Sequence, residues 1–253
     1  MSRYFIELSY KGTRYNGWQV QDNTPHTIQQ ILEEKFSMYL KEKIEITGCG
    51  RTDTGVHAKN YFAHLDYSGL EIIENKDQCL FKLNTILPND ISLQDILPVT
   101  DNAHARFDAT ARTYHYFLHQ KKNPFLEDIS WYQYGELDFS EMNTAAAILP
   151  TSHDFTSFSK LNTQVNNNNC QVSVAEWKQL NDYEWCFEIT ADRFLRNMVR
   201  AIVGSLLLVG KNKINIDGFK NIIELKDRSE AGMSVPAHGL FLVNVAYPKE
   251  LFL

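Results

Sequence analysis

The first residues, Met1-Ser2-Arg3-Tyr4-Phe5-Ile6-Glu7, alternate polar and apolar side chains as a strand does, and the spacing predicts a strand over 3–10. A Gly- and Asn-rich loop follows, then apolar positions at helical spacing over 27–40, with Pro25 and Thr27 marking the helix start. A short apolar run predicts a strand over 44–48. Beyond a glycine-framed loop at 50–55, further strands are predicted over 57–67 and 91–99, with a helix over 78–87 that stops before Pro88. This order of elements is ferredoxin-like.

The second half repeats the order loosely. A strand is predicted over 112–119 and a helix over 139–149, then a hairpin of strands over 173–180 and 184–190 that turns at Asn181-Asp182. Helices over 194–208 and 216–225 and a strand over 239–245 complete it. The expected fold is α+β: two ferredoxin-like (RRM-like) halves, residues 1–105 and 106–253, joined into a central antiparallel sheet with helices on one face and an active-site cleft between the halves. Two stretches read as loops, 157–169, rich in Ser and Asn, and 227–238, with Gly232 and Pro236.

Composition narrows the function classes. With 253 residues, 43% hydrophobic and 22% charged, the chain has globular proportions. Its start lacks the apolar core of a signal peptide, and its longest apolar stretch, 201–209, is far shorter than the ~20 residues a bilayer requires. A soluble, cytoplasmic protein without a membrane partner is therefore expected. Cys49, Cys79, Cys170 and Cys186 are far apart and form no C-x-x-C or Cys/His cluster, so neither a structural metal nor a disulfide is expected. His57, His64, His104, His115, His119 and His238 also lack ligand spacing and read as structural or surface residues. No phosphate loop or dinucleotide fingerprint is present, so no nucleotide cofactor is implied. A net charge of −6 means that any nucleic-acid contact must come from a local basic patch.

The densest chemical signal is Gly48-Cys49-Gly50-Arg51-Thr52-Asp53-Thr54-Gly55-Val56-His57-Ala58, a strand end, a glycine-framed loop and a strand start. Glycines let the backbone turn sharply and bring an arginine and a carboxylate to one surface. Read on its own, the pattern also fits an Asx-turn in which Asp53 only caps the loop backbone.

Residues 50–58 resemble the active-site motif of the bacterial tRNA pseudouridine synthase A family, in which the position of Thr54 is commonly Ala. The resemblance continues in Tyr10-Lys11-Gly12-Thr13-Arg14-Tyr15-Asn16-Gly17-Trp18-Gln19-Val20-Gln21, in Phe107-Asp108-Ala109-Thr110-Ala111-Arg112-Thr113-Tyr114-His115-Tyr116 and in Phe194-Leu195-Arg196-Asn197-Met198-Val199-Arg200-Ala201-Ile202-Val203-Gly204-Ser205-Leu206. The tail from Lys226-Asp227-Arg228 through Ala231-Gly232, Pro236-Ala237 and Gly239-Leu240 fits as well.

The resemblance implies an isomerase that detaches uracil from ribose and rejoins it through C5, at positions 38, 39 or 40 of the anticodon stem-loop of tRNA, with no cofactor, in a homodimer. It makes Asp53 the catalytic carboxylate, acting on the sugar as a nucleophile or by taking a proton to give a glycal. One ionised carboxylate can trap positive character at C1′, and a nearby fixed cation holds its pKa down in a closed site. The resemblance assigns that cation to Arg200.

It further gives Arg51 a part in expelling the target base or filling its vacated place in the stem, and Tyr114 a place stacked on the flipped uracil with its hydroxyl as a candidate to remove the C5 proton, while Tyr116 on the same strand reads as core. Arg193, Arg196 and Arg200, at i, i+3 and i+7 of the predicted helix, would share one face. RNA affinity is expected from Arg14, Arg106, Arg112, Lys121, Lys122 and the Arg193/Arg196 face. Where family members often carry an arginine after the Cys170 position, this chain has Gln171-Val172-Ser173. Two rivals come from other classes: a catalytically silent RNA-binding or RNA-folding protein on the same scaffold, and an N-glycosidase using Asp53, which would want a second carboxylate that the motif does not supply.

Overall fold

The computed structural model describes residues 2–21, 24, 26–69, 71–160 and 167–253, with the backbone alone at 71 and 73. Pro25, and positions 161–166 of the expected 157–169 loop, lie outside the described residues. Among the described residues, nine strands and six α-helices, one of four residues, make the fold α+β. The chain forms two compact units, Met1–Thr110 with Leu242–Leu253, and Ala111–Phe241.

In the first unit, β1 (Ser2–Tyr10) lies between β4 (Ile91–Val99) and β3 (His57–Tyr67), antiparallel to both, and the two-residue β2 (Thr47–Gly48) extends the sheet beyond β3. The C-terminal strand β9 (Leu240–Ala246) also neighbours β3. Helix α1 (Ile28–Leu40) buries Ile28, Leu32, Phe36 and Leu40, a stripe at four-residue spacing, and starts where the Thr27 side chain accepts the Gln30 N–H at 3.3 Å. The four-residue α2 (Glu71–Glu74) and α3 (Lys76–Ile86) precede β4.

The strand expected over 44–48 is only Thr47–Gly48. Its missing half spends its backbone groups on α1 instead: Ile44 N–H donates to Ser37 Oγ, Ile46 N–H to Glu33 Oε1, and the Ile46 carbonyl accepts from Gln29 Nε2, while both isoleucines are buried.

Residues 242–253 pack with this unit. Thr110 N–H donates to the Ala246 carbonyl at 2.8 Å and Thr100 N–H to the Leu251 carbonyl at 3.0 Å. The Tyr247 hydroxyl reaches the Ala105 carbonyl, and the Tyr247 and Phe252 rings meet Phe5 edge-on.

In the second unit, β5 (Ala111–His119), β8 (Glu184–Ala191) and β7 (Val172–Asn181) pair antiparallel in that order, and β6 (Trp131–Tyr132) runs parallel beside β5. Asn181 closes the β7–β8 hairpin, its side-chain oxygen accepting from the backbone N–H groups of Tyr183 and Glu184. Helix α4 (Phe139–Ala146) is capped by Asp138 and stops short of the expected 149, where a 3-10 turn at Leu149–Thr151 takes over. Helix α5 (Met198–Gly210) is buried along nearly its whole length, and the amphipathic α6 (Ile216–Leu225) is capped by Asn215. Among the described residues no helix is long and apolar enough to cross a membrane.

Candidate active site

Asp53 stands on a tight turn. The Val56 N–H closes on the Asp53 carbonyl at 3.1 Å, and Gly55 takes the positive φ (+80°) that the turn requires. The loop is held from below by the segment 10–18. The Tyr10 hydroxyl lies 2.8 Å from Thr52 Oγ1 in the core, Trp18 N–H donates to the Thr52 carbonyl, and Gly12 N–H donates to Nδ1 of the buried His57 at 2.9 Å. Tyr61 donates its hydroxyl to the Gly50 carbonyl, and its ring stacks on Trp18 with centroids 4.1 Å apart.

Two glycines make that approach possible: a Cβ on Gly12 would come within 1.9 Å of the Val56 carbonyl oxygen, and one on Gly17 within 2.5 Å of that of Thr52. Tyr10, Trp18 and Tyr61, to which sequence reasoning gave no role, are thus the bed of the Asp53 loop. A signal was present, since Tyr10, Gly12, Gly17 and Trp18 lie in one family-like motif. Asp53 is half-buried and Arg51 exposed.

The other residues expected to meet RNA in this unit are dispersed. Arg14 forms an ion pair with Asp90 at 2.6 Å, which raises its pKa, and Asp90 also accepts the Tyr15 hydroxyl. Arg106 is exposed, 5.6 Å from the ring centroid of Phe107, an exposed phenylalanine that sequence reasoning had not singled out.

In the second unit Tyr114 is half-buried on β5, opposite Ile189, with its ring edge-on to Phe194 at 5.1 Å. Tyr116 is buried, as its place in the strand implied, and its hydroxyl donates to the Pro236 carbonyl at 3.0 Å; burial pushes its pKa up, with the Arg200 charge acting in the other direction. Arg200 is in the first turn of α5 and donates from Nε to the Val235 carbonyl at 2.7 Å.

The helix expected over 194–208 begins only at Met198, because Asn197 sits in the left-handed region (φ +69°). Arg193 and Arg196 therefore precede the helix and share no helical face with Arg200. Arg193 follows the end of β8, its N–H bonded to Asp192 Oδ1, and the Arg196 carbonyl accepts the Lys160 N–H. Arg112 donates to the Asp192 carbonyl at 2.8 Å. Arg112, Arg193 and Asp192 thus lie close together, whereas Lys121 lies over the Tyr183 ring, 5.1 Å from its centroid. The four cysteines are buried, and burial raises the Cys170 thiol to about 12. No group of three or more His, Cys, Asp or Glu among the described residues is arranged to hold a metal ion.

The fold is α+β, with a carboxylate on a braced, glycine-framed turn in the first unit and an arginine held near the start of a buried helix in the second. The family model described as tRNA pseudouridine synthase matches residues 145–248. Over its full length the chain is 51% identical to a tRNA pseudouridine synthase A of Porphyromonas gingivalis, covering 100% of that protein. It is 52% identical to that of Parabacteroides distasonis, covering 98% of it, and 50% identical to that of Bacteroides fragilis, covering 99%, with 100% of this chain aligned each time. The chain belongs to the tRNA pseudouridine synthase A family.

Proposed function

We propose that this chain isomerises uridine to pseudouridine in tRNA. The N1–C1′ bond breaks, the detached base turns while bound, C5 bonds to C1′, the proton on C5 is lost to solvent, and N1 takes one up from solvent. The observation that carries the proposal is full-length identity of about half to relatives named for this activity. The braced turn under Asp53 supports it, because a carboxylate reacting at the ribose must be held in place when the base detaches.

In this reading Asp53 reacts at the sugar, Arg200 supports its ionised form, and Tyr114 stacks on the flipped uracil. Arg51 helps expel the base, at a cost of a few kcal/mol of stacking and pairing. Arg14, Arg106, Arg112, Arg193 and Arg196 contact phosphates. The substrate is the anticodon stem-loop, with uridines at positions 38, 39 and 40, the enzyme is a homodimer, and it works in the cytoplasm where tRNA is found. The proposal extends to a chain of two ferredoxin-like halves, residues 1–105 and 106–253. The order β4-β1-β3-β2 in the first unit supports that reading, since it is the order a β-α-β-β-α-β half adopts.

The test uses unmodified tRNA transcripts tritiated at uracil C5, with tritium release to water measured for the wild type and Asp53→Asn. The wild type is expected to release tritium and Asp53→Asn to release none while still binding tRNA within a few-fold. Binding without release from any transcript would favour a silent RNA-binding protein instead.

A further inference from the structure

Between α6 and β9 the chain runs as a strap over 231–236 that lies against α5. The contact is close because both sides are small: a Cβ on Gly204 would fall 1.8 Å from the Met233 carbonyl oxygen, and one on Gly232 2.5 Å from the Gly204 backbone. Ser205 Oγ, buried in α5, accepts the Gly232 N–H at 2.8 Å. At the other end the Tyr116 hydroxyl donates to the Pro236 carbonyl.

Arg200 and Val235 then bond reciprocally. Arg200 Nε donates to the Val235 carbonyl at 2.7 Å, and the Val235 N–H returns to the Arg200 carbonyl at 3.3 Å. A guanidinium is planar and rigid, so committing Nε fixes the direction in which its two Nη groups point.

Arg228 holds the middle of this strap. Its Nη1 donates to the carbonyls of Ala231 and Gly232, at 3.4 and 3.2 Å, and its Nη2 to Ser234 Oγ at 2.8 Å. Ser234 Oγ also accepts from Asn197 Nδ2 at 2.6 Å, which ties the strap to the left-handed residue that starts α5, three positions before Arg200. An arginine gripping a phosphate would turn its donors outward, whereas this half-buried one aims both Nη groups at its own chain.

We infer that Arg228 is a positioning residue: by fixing the strap on α5 it sets the Val235 carbonyl on which the Arg200 side chain is oriented. The inference rests on the reading that Arg200 serves the reaction. It predicts a loss in turnover that travels through Arg200 and leaves tRNA binding nearly intact.

The experiment is a double-mutant cycle on the full chain, reading kcat and KM for tRNA by tritium release. Arg228→Ala is expected to lower kcat by about tenfold to a hundredfold, the scale of a misplacement of about 1 Å, with KM changed by less than about threefold. Arg228→Lys recovers only part of it, since one ammonium does not reproduce the fork. In an Arg200→Ala background, Arg228→Ala is expected to add almost nothing. Ser234→Ala removes the link to Asn197 and keeps the arginine, so it reads the same path with a smaller loss if Arg228→Ala fails to fold.

A raised KM with unchanged kcat would make Arg228 a phosphate contact and overturn the inference. So would a loss that adds in full on Arg200→Ala, or an unchanged kcat in Ser234→Ala where Arg228→Ala does not fold. Full activity of Arg200→Ala alone would remove the catalytic reading of Arg200, and with it the role given to Arg228.

Discussion

The hydroxyls of Tyr10 and Thr52 lie 2.8 Å apart in the core, and the residue after Thr52 is the carboxylate Asp53. The bond joins the end of the first strand to the turn that carries the proposed chemistry. Tyr10→Phe keeps the ring, 4% exposed, and deletes the oxygen. A buried hydroxyl that loses its partner costs about 1–3 kcal/mol, so the turn should loosen more than the fold as a whole. The expected result is a fall in kcat of about tenfold or more with KM for tRNA nearly unchanged. Unchanged kcat would show that the bond has no part in holding Asp53.

Gly17 offers a steric test of the same bed. Its φ of +82° and the Thr52 carbonyl 2.5 Å from where a Cβ would stand both oppose any side chain. Gly17→Ala combines a left-handed backbone penalty with overpacking, for a destabilisation of about 2–4 kcal/mol. Chemical denaturation should register it as a lower midpoint with an unchanged slope. A variant as stable as the wild type would mean the two segments part more easily than their geometry implies.

How much of this was legible in the sequence can be read from particular residues. The strands at 57–67 and 91–99 and the helix at 216–225 were marked by alternation, helical spacing and breakers close enough together to fix their ends. The strand at 44–46 failed because Gln29, Glu33 and Ser37 of α1 take its backbone groups, a tertiary choice that no local pattern reveals. The early start of α5 failed on a single residue, since a left-handed asparagine at 197 reads in sequence like any helix interior position. For the site, resemblance to a family is what proposes Asp53 and Arg200. The strap was invisible, because Tyr116, Asn197, Arg200, Arg228 and Ser234 meet only in the folded chain, and composition does not tell which arginines turn their donors inward.

Tyr114→Phe separates two roles for that ring. The aromatic face, set against Phe194, is kept, so tRNA binding should stay within a few-fold of the wild type. If the hydroxyl takes the C5 proton, turnover should fall by about a hundredfold or more, the usual scale of general base catalysis. Near-full activity would remove the hydroxyl from the mechanism and leave stacking as the residue's contribution.

His64 gives a stability test independent of the chemistry. It is 7% exposed, and its Nδ1 accepts the Ala105 N–H at 3.1 Å, which commits the ring to the neutral form. Burial first, then the charges of His104 and Arg3, push its pKa down to about 4. An unfolded histidine binds a proton below about 6.5, so between that pH and 4 the unfolded chain holds more protons than the folded one. The stabilisation is therefore complete above about pH 6.5 and is lost as pH falls toward 4. From this group alone the loss is about 1.4 kcal/mol by pH 5.5, and His104, also lowered by burial, acts in the same direction. His64→Gln retains an acceptor for Ala105 without the titration. Its denaturation midpoint should fall less steeply than the wild type's between pH 7.5 and 5.5, and an equally steep fall would show that the ring does not carry the proton linkage.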